Sequence, residues 1–249
     1  MKACVIIPAR FSSSRFPGKP LEKLLGKPMI LWVAEVSSKA VGDKNVYIAT
    51  DDERIYHTVK SAGFGALMTS NNALTGTDRV AEASKALDYD IFINVQGDEP
   101  LIDYNDIRKC IDLKFKYPDY VINGFSKITS KENPSSINIP KVVTNEKNFM
   151  LYMSRQLIPG YKSKLNKPIS IKKQVCIYGF NSQELEEYFN YGRKSLLETY
   201  EDIEILRFLE LDKKILMYKC KNNSHAVDIP EDLIKVENLL KKRNENNRL

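Results

Sequence analysis

Three short β-rich runs, Ala3–Pro8, Val46–Thr50 and Ile91–Val95, punctuate the first half of the chain, and segments at helical spacing lie between and after them. Those segments are Met29–Lys39, Asp52–Ala62 and Asp78–Leu87. Strands alternating with helices specify a parallel α/β sheet covered on both faces. Ligands of such sheets bind outside the carboxyl ends of the strands, so the residues just after each run are the ones to read for chemistry.

From about Val121 the pattern changes. Val121–Ile128, Lys141–Thr144, Val175–Phe180 and Ile215–Cys220 read as strands. Ser182–Tyr191, Leu197–Leu211 and Pro230–Arg243 read as helices, the last with Pro230 at its start. This is the continuation of one sheet with an inserted excursion around 155–172, followed by a polar tail, Lys241–Leu249, that is expected to fray. No internal repeat is present.

At 249 residues the chain is long enough to bury a core without disulfide or metal staples. A mean hydropathy of −0.37 and the lack of any apolar stretch near 18 residues argue against a membrane span. The N-terminal apolar run ends at Pro8-Ala9-Arg10, too short for an export signal. Cys4, Cys110, Cys176 and Cys220 are scattered and only His57 and His225 accompany them. That spacing argues against zinc and against a disulfide framework, and for reduced thiols in a cytoplasmic protein.

The formal net charge is +6. It is local. Residues 1–125 balance 16 basic against 16 acidic side chains, whereas Lys147–Gln183 holds seven cations and no acid. Such a stretch is either a solvated basic loop or a surface facing an anion. It carries no nucleic-acid-binding pattern.

Three strand ends are rich in chemistry. Pro8-Ala9-Arg10-Phe11-Ser12-Ser13-Ser14-Arg15-Phe16-Pro17-Gly18-Lys19 concentrates cations, hydroxyls and a glycine, a composition that suits polyphosphate. It is neither a Walker A loop nor a GxGxxG fingerprint. Gln96-Gly97-Asp98-Glu99-Pro100 places a carboxylate where a Mg²⁺ ligand is useful, or where a turn residue caps the helix from about Asp103. Asp228, in Val227-Asp228-Ile229-Pro230, is either a partner carboxylate for the same metal or the cap of the last helix. Thr75-Gly76-Thr77-Asp78-Arg79 is a hydroxyl-rich turn entering a helix, suited to reading a base or its ribose.

Taken together, IPARxxSSRxPGKPL, ATDDERI, TGTDR, VQGDEPLI, YxSRxxIP and VDxPEDL resemble, in order and across residues 3–236, the 3-deoxy-manno-octulosonate (Kdo) cytidylyltransferases, or CMP-Kdo synthetases. The resemblance implies a mainly parallel, Rossmann-like nucleotidyltransferase sheet in a single domain. Residues 1–125 would be its nucleotide-binding half, and 126–240 its sugar-acid and dimerisation part. It implies transfer of CMP from CTP to a 3-deoxy-2-ulosonic acid for surface polysaccharide synthesis, with Mg²⁺ as cofactor. By motif, Pro8, Ala9, Arg10, Ser13, Arg15 and Lys19 would hold CTP, with Arg10 and Lys19 stabilising charge at the α-phosphate and pyrophosphate. Thr75, Gly76, Arg79 and Gln96 would surround the cytidine. Asp98 and Asp228 would bind the metal. Arg155, Gln174, Tyr178 and Glu204 would face the sugar acid, and the excursion would join two copies as a homodimer.

Two positions depart from the family pattern. Gln174 stands where His is usual, and Ile205 where Gln is usual. An Ile facing a substrate hydroxyl would leave it unpaired, costing about 1–3 kcal/mol if buried. The expectation is therefore a conventional nucleotide half with a sugar acid that is Kdo or a variant with a hydroxyl missing, inverted or substituted. The competing readings are a cytidylyltransferase for a sialic-acid-like nonulosonate, a DxD glycosyltransferase and a non-catalytic sugar-nucleotide sensor. The SSRFPGKPL loop disfavours the first, Pro100 the second, and the retained Lys19, Asp98 and Asp228 the third. No nucleic-acid partner and no membrane insertion are expected.

Overall fold

The computed structural model describes residues 1–12, 16–130, 132–221 and 224–246. β1 (Ala3–Ala9) opens the chain, and a short hairpin of β2 (Lys23–Leu24) and β3 (Lys27–Pro28) leads into α1 (Met29–Val41). β4 (Val46–Thr50), α2 (Glu53–Ser61), β5 (Gly65–Met68), α3 (Gly76–Ser84), β6 (Ile91–Val95) and α4 (Tyr104–Lys116) complete the first half. β7 (Val121–Lys127), β8 (Lys141–Thr144), β9 (Met150–Ser154) and β10 (Lys172–Phe180) follow. Then come α5 (Ser182–Asn190), α6 (Leu196–Glu201), α7 (Leu206–Glu210), β11 (Ile215–Lys219) and α8 (Pro230–Asn246).

The main sheet has the order β11-β7-β10-β6-β1-β4-β5, with β8 and β9 attached beside β10. β1, β4, β5 and β6 pair in parallel, as do β7 and β11. β10 runs antiparallel between β6 and β7. The sheet is therefore mainly parallel with one reversed strand at its centre. Periodicity alone does not reveal that reversal, because a strand buried on both faces looks the same in either direction.

Alternation along the strands sends side chains into two cores. Val5 and Ile7 of β1 join Ile30, Val33, Ile55, Val59, Ile107 and Cys110 of α1, α2 and α4 on one face. Cys4 and Ile6 join Val80, Leu185, Tyr188, Leu206 and Phe208 of α3, α5 and α7 on the other. A third cluster of Phe16, Leu24, Met29, Leu101, Val227, Val236 and Leu240 packs the first loop, the hairpin and α8 together. It anchors the returning C-terminal segment to the strand ends.

Several expectations need correction. The helix read over Leu197–Leu211 is two helices, because Asp202 adopts φ 49° and breaks the ladder between α6 and α7. α3 begins at Gly76 and ends at Ser84, not Asp78 to Leu87, since Thr75 is its cap. The last helix continues to Asn246, so the first residues of the expected frayed tail are helical, and 247–249 lie outside the described residues. The strand β5, the hairpin β2–β3 and the strand β9 were not separated as strands in the sequence. Ile205 is 1% exposed and packs in the second core with Ile203, Leu206 and Phe208. A side chain packed there faces no substrate hydroxyl, so none is left unpaired by it.

One buried ion pair ties the two halves. Lys114 on α4 is 1% exposed; its Nζ donates to Glu184 Oε1 at 2.8 Å and Oε2 at 2.6 Å, and to the carbonyls of Pro118 and Tyr120 at 2.8 Å each. Glu184 also closes the capping box of α5 with Asn181. Burial pushes Lys114 down and Glu184 up, toward their neutral forms, and their mutual attraction opposes this. Lys114→Met removes the counter-charge and leaves a buried carboxylate, so we expect a loss of about 3–5 kcal/mol in urea unfolding. A loss below 1 kcal/mol would mean that Glu184 finds another partner.

Candidate active site

The carboxyl ends of β1 and β6 are adjacent in the sheet, so the loop after β1 faces the Gln96–Asp98 turn. Ala9, 5% exposed, ends β1, and Arg10 follows it in the open. Ser13 and Arg15 lie outside the described residues. The loop returns at Gly18, whose N–H donates to Phe11 O at 2.9 Å. Gly18 has φ 74°, and a Cβ there would sit 3.1 Å from the Phe11 ring, so a glycine is required on both counts. The Arg54 guanidinium lies over that ring, its Cζ 3.3 Å from the centroid.

This turn aims Lys19 inward. Its Nζ donates to Asp98 Oδ2 at 2.6 Å and to Val227 O at 2.9 Å. The Val227 N–H in turn donates to Asp98 O at 2.9 Å. Three segments far apart in sequence thus meet at one ammonium, with Asp228 the next residue along. The side chains of Lys19 and Asp98 are 17% and 27% exposed, so the pair is sheltered but open to a ligand.

The capping alternative for Asp98 resolves locally. Asp103 itself caps α4, accepting from Asn105 N–H at 2.9 Å, and Asp98 takes no part. At α8, Asp232 reaches back to accept from Asp228 N–H at 2.9 Å and Ile229 N–H at 3.1 Å. Asp98 and Asp228 thus flank the bridged Val227. Among the described residues no cluster of three metal-binding side chains occurs. Two carboxylates of hard oxygen on a partly open edge fit Mg²⁺, which takes one or two carboxylates and completes its shell with phosphate oxygens and water.

A second corner lies beside this bridge. Thr75 caps α3: its Oγ1 accepts from Asp78 N–H at 3.2 Å and donates to Asp78 Oδ2 at 2.7 Å. A Cβ on Gly76 would fall 2.9 Å from Gln96 Nε2 and 3.2 Å from Pro8 Cγ. Pro8 and Gln96 therefore both lie against Gly76.

The remaining expected residues have these partners. Arg79, 3% exposed, donates to Asp51 Oδ2 at 2.9 Å and to Thr69 Oγ1, tying α3 to the ends of β4 and β5. Arg155 directs its guanidinium to main-chain carbonyls, with Nη1 on Ile137 O and Nη2 on Asp202 O at 2.9 Å each and Nε on Glu201 O at 2.5 Å. Gln174 Nε2 donates to Asn123 Oδ1 at 3.3 Å. Tyr178 is 2% exposed and stacks on Phe180, with burial pushing its hydroxyl well up. Glu204 accepts from Thr77 N–H at 2.9 Å and from Gln96 Nε2 at 2.6 Å, which puts it with the Gly76–Gln96 corner. Burial raises its carboxyl, the Asp78 and Glu198 charges add to this, and the Thr77 hydrogen bonds oppose it.

Sequence reading missed three contributors. Val227 supplies the carbonyl under Lys19, Phe11 seats the glycine turn, and Arg207 holds Asp78 with Nη1 at 2.7 Å and Nη2 at 3.1 Å. The first two act through main chain or packing and leave no composition signal. Arg207 lies two residues beyond Ile205, and its residue type alone names no partner.

The cytidylyltransferase family profile matches residues 4–215. The chain is 40% identical over 248 residues to an 8-amino-3,8-dideoxy-manno-octulosonate cytidylyltransferase of Shewanella sp. (strain W3-18-1), covering 96% of this chain and 99% of the relative. It is 40% identical over 246 residues to the 3-deoxy-manno-octulosonate cytidylyltransferase of Fusobacterium nucleatum, covering 98% and 99%. The solved structure of a CMP:2-keto-3-deoxy-manno-octonic acid synthetase complexed with CTP superposes with a TM-score of 0.89 at 35% identity, covering 98% of this chain and all of that one.

The tight corner makes a structural prediction. Gly76→Ala forces Gln96 or Pro8 to move, and the overpacking is expected to cost about 1–3 kcal/mol in urea unfolding. Unchanged stability would show that the corner yields freely.

Proposed function

The chain belongs to the cytidylyltransferase family, among the 3-deoxy-manno-octulosonate and 8-amino-3,8-dideoxy-manno-octulosonate enzymes, and from that premise we propose that it transfers CMP from CTP to an eight-carbon 3-deoxy-2-ulosonic acid. The observation that carries the reading is the Lys19 ammonium held between Asp98 and Val227 O at the mouth of the loop after β1. A nucleotidyl transfer needs positioning and charge neutralisation more than a covalent nucleophile. The cations of that loop and the two flanking aspartates supply both.

In this reading the anomeric hydroxyl of the sugar acid attacks the α-phosphorus of CTP. The new P–O bond forms as the bond to the β-phosphate breaks, and pyrophosphate leaves with the electron pair. Arg10 and Lys19 neutralise charge on the α-phosphate and on the leaving group. Asp98 and Asp228 would hold Mg²⁺, which supplies Lewis-acid polarisation of phosphate oxygens and favours loss of the hydroxyl proton when bound. Pro8, Gly76 and Gln96 wall the nucleoside. Gln174, a donor and acceptor, stands toward the sugar-acid side, and Arg155 orders the 137 and 201–202 loops around it. The relatives divide between Kdo and its 8-amino analogue, and either acid fits a site whose Ile205 is buried in the core.

Four free thiols suit a reducing compartment such as the cytoplasm, where we place the reaction. The excursion carries Leu165 and Ile169 fully exposed, at 98% and 105%, with Tyr161 at 42%. We read this apolar surface, which lies within the basic stretch Lys147–Gln183, as the contact with a second copy of the chain. Light scattering at micromolar concentration is expected to give a dimer, and Leu165→Asp with Ile169→Asp a monomer. A monomeric wild type contradicts the assembly.

Pyrophosphate release from CTP, followed with Kdo and 8-amino-Kdo as acceptors, tests the chemistry. Turnover is expected with at least one acid, to vanish on chelation and to return with Mg²⁺. Asp98→Ala is expected to lower it by at least about 100-fold with the fold intact. Normal turnover in that variant would overturn the assignment.

A further inference from the structure

The segment Ala49-Thr50-Asp51-Asp52-Glu53-Arg54-Ile55 carries one of the family motifs, and its Asp52 and Arg54 have no part in the transfer chemistry. Their place in the fold is specific. β4 lies beside β1 in the sheet, with Thr50 opposite Ala9, so the segment leaving β4 meets the loop that leaves β1. Asp52 caps α2 by accepting from the Arg54 N–H at 3.0 Å. The same carboxylate takes both arms of the Arg54 side chain, Nε on Oδ1 at 2.9 Å and Nη2 on Oδ2 at 2.7 Å. A bidentate pair of this kind fixes the plane of the guanidinium as well as its position.

That plane is applied to the phosphate loop. Arg54 Cζ lies 3.3 Å from the centroid of the Phe11 ring, the approach of a cation to an aromatic face. Phe11 in turn holds Gly18 by two means. Its carbonyl accepts the Gly18 N–H at 2.9 Å, and a Cβ on Gly18 would lie 3.1 Å from the ring Cζ and 3.3 Å from Cε2. Gly18, at φ 74°, thus packs directly against that ring. Lys19 is the next residue, and its Nζ reaches Asp98 Oδ2 at 2.6 Å and Val227 O at 2.9 Å. A line of contacts therefore runs from the Asp52 carboxylate through Arg54, Phe11 and Gly18 to the Lys19 ammonium.

We propose that Arg54 is a positioning residue for nucleotidyl transfer: locked on Asp52, its guanidinium clamps the Phe11 ring and so fixes the turn that presents Lys19 to the triphosphate. The proposal rests on the CMP-transfer reading and adds to it a group that does not touch CTP. With the clamp gone, CTP still binds through the rest of the loop. Lys19, however, drifts from the charge that builds as pyrophosphate leaves, and lost alignment at that stage falls on kcat. The other use of an exposed arginine at a strand end is direct contact with a phosphate. That use needs no Phe11, and its loss falls on CTP binding.

The test measures pyrophosphate release by the full chain with CTP, Mg²⁺ and whichever of Kdo and 8-amino-Kdo turns over, in Arg54→Ala, Phe11→Leu and the double variant. Arg54→Ala is expected to lower kcat about tenfold, between the few-fold worth of an exposed cation–ring contact and the roughly 100-fold cost of a misplaced catalytic group. The KM for the sugar acid, and the CTP affinity by calorimetry, should stay within about threefold. Phe11→Leu keeps an apolar side chain without a face to stack on, and is expected to give a similar loss. The double variant should fall below the poorer single variant by no more than about twofold, since both changes break one contact. The Asp52–Arg54 pair is exposed, so Arg54→Ala should keep the wild-type urea midpoint. Arg54→Gln serves if that variant does not fold. Losses that multiply in the double variant, a loss confined to CTP affinity, or an unchanged kcat overturns the proposal and leaves the transfer reading standing. A wild type that releases no pyrophosphate with either acid overturns the transfer reading and this proposal with it.

Discussion

The Lys19 ammonium is the point on which the site depends. It draws together the loop after β1, the turn after β6 and the segment entering α8, which are separated by 79 and 208 residues from Lys19. A cation shared between a carboxylate and a carbonyl holds those segments only while it is sheltered. The shelter is the cluster of Phe16, Leu24, Met29, Leu101, Val227, Val236 and Leu240. Burying each such side chain contributes roughly 1.5–3 kcal/mol, more than an exposed ion pair supplies. The apolar cluster therefore sets the geometry, and the ion pair selects which polar atoms meet inside it.

The second half of the molecule acts on the nucleotide side through buried charge. Glu204 and Arg207 reach from the start of α7 to α3, and Lys114 and Glu184 join α4 to α5. These groups have little exposure, so each relies on its partners for the solvation that water no longer gives. The reversed strand β10 makes this possible. By running back between β6 and β7 it brings Gln174–Tyr178 alongside the end of β6 and delivers the chain to α5, on the same face as α3. The basic excess of Lys147–Gln183 is distributed over this return path. Lys172 and Lys173 lie on β10, Lys173 pairs with Glu132, and Arg155 serves main-chain carbonyls. Part of the charge that reads as an anion-facing surface in sequence is therefore internal bracing.

The fold was legible where local pattern decides. β4, β6 and β8 appear in the sequence with the boundaries they have in the structure, since short apolar runs bounded by polar residues admit little else. The break at Asp202 was not legible, because an Asp in the left-handed region carries no periodicity signal and tertiary packing at Ile203 and Ile205 overrides the helical spacing. At the site, Lys19, Asp98, Asp228, Gly76, Gln96 and Pro8 could be named because their residue types are costly to place at a strand end without a use. Their pairing could not be named. The Val227 carbonyl belongs to a residue whose side chain says only that it is core, and the directions of Arg79, Arg155 and Glu204 depend on which neighbour reaches them first. Residue type gave the chemistry available, and nonlocal packing decided where it was spent.

A crystal structure of the chain with CTP bears most directly on the account of one nucleotide site closed by three distant segments. The account predicts the base against Pro8, Gly76 and Gln96, and the α-phosphate at Lys19 beside Asp98. A base seated elsewhere, or a triphosphate that leaves the Lys19–Asp98–Val227 bridge out of reach, would contradict it.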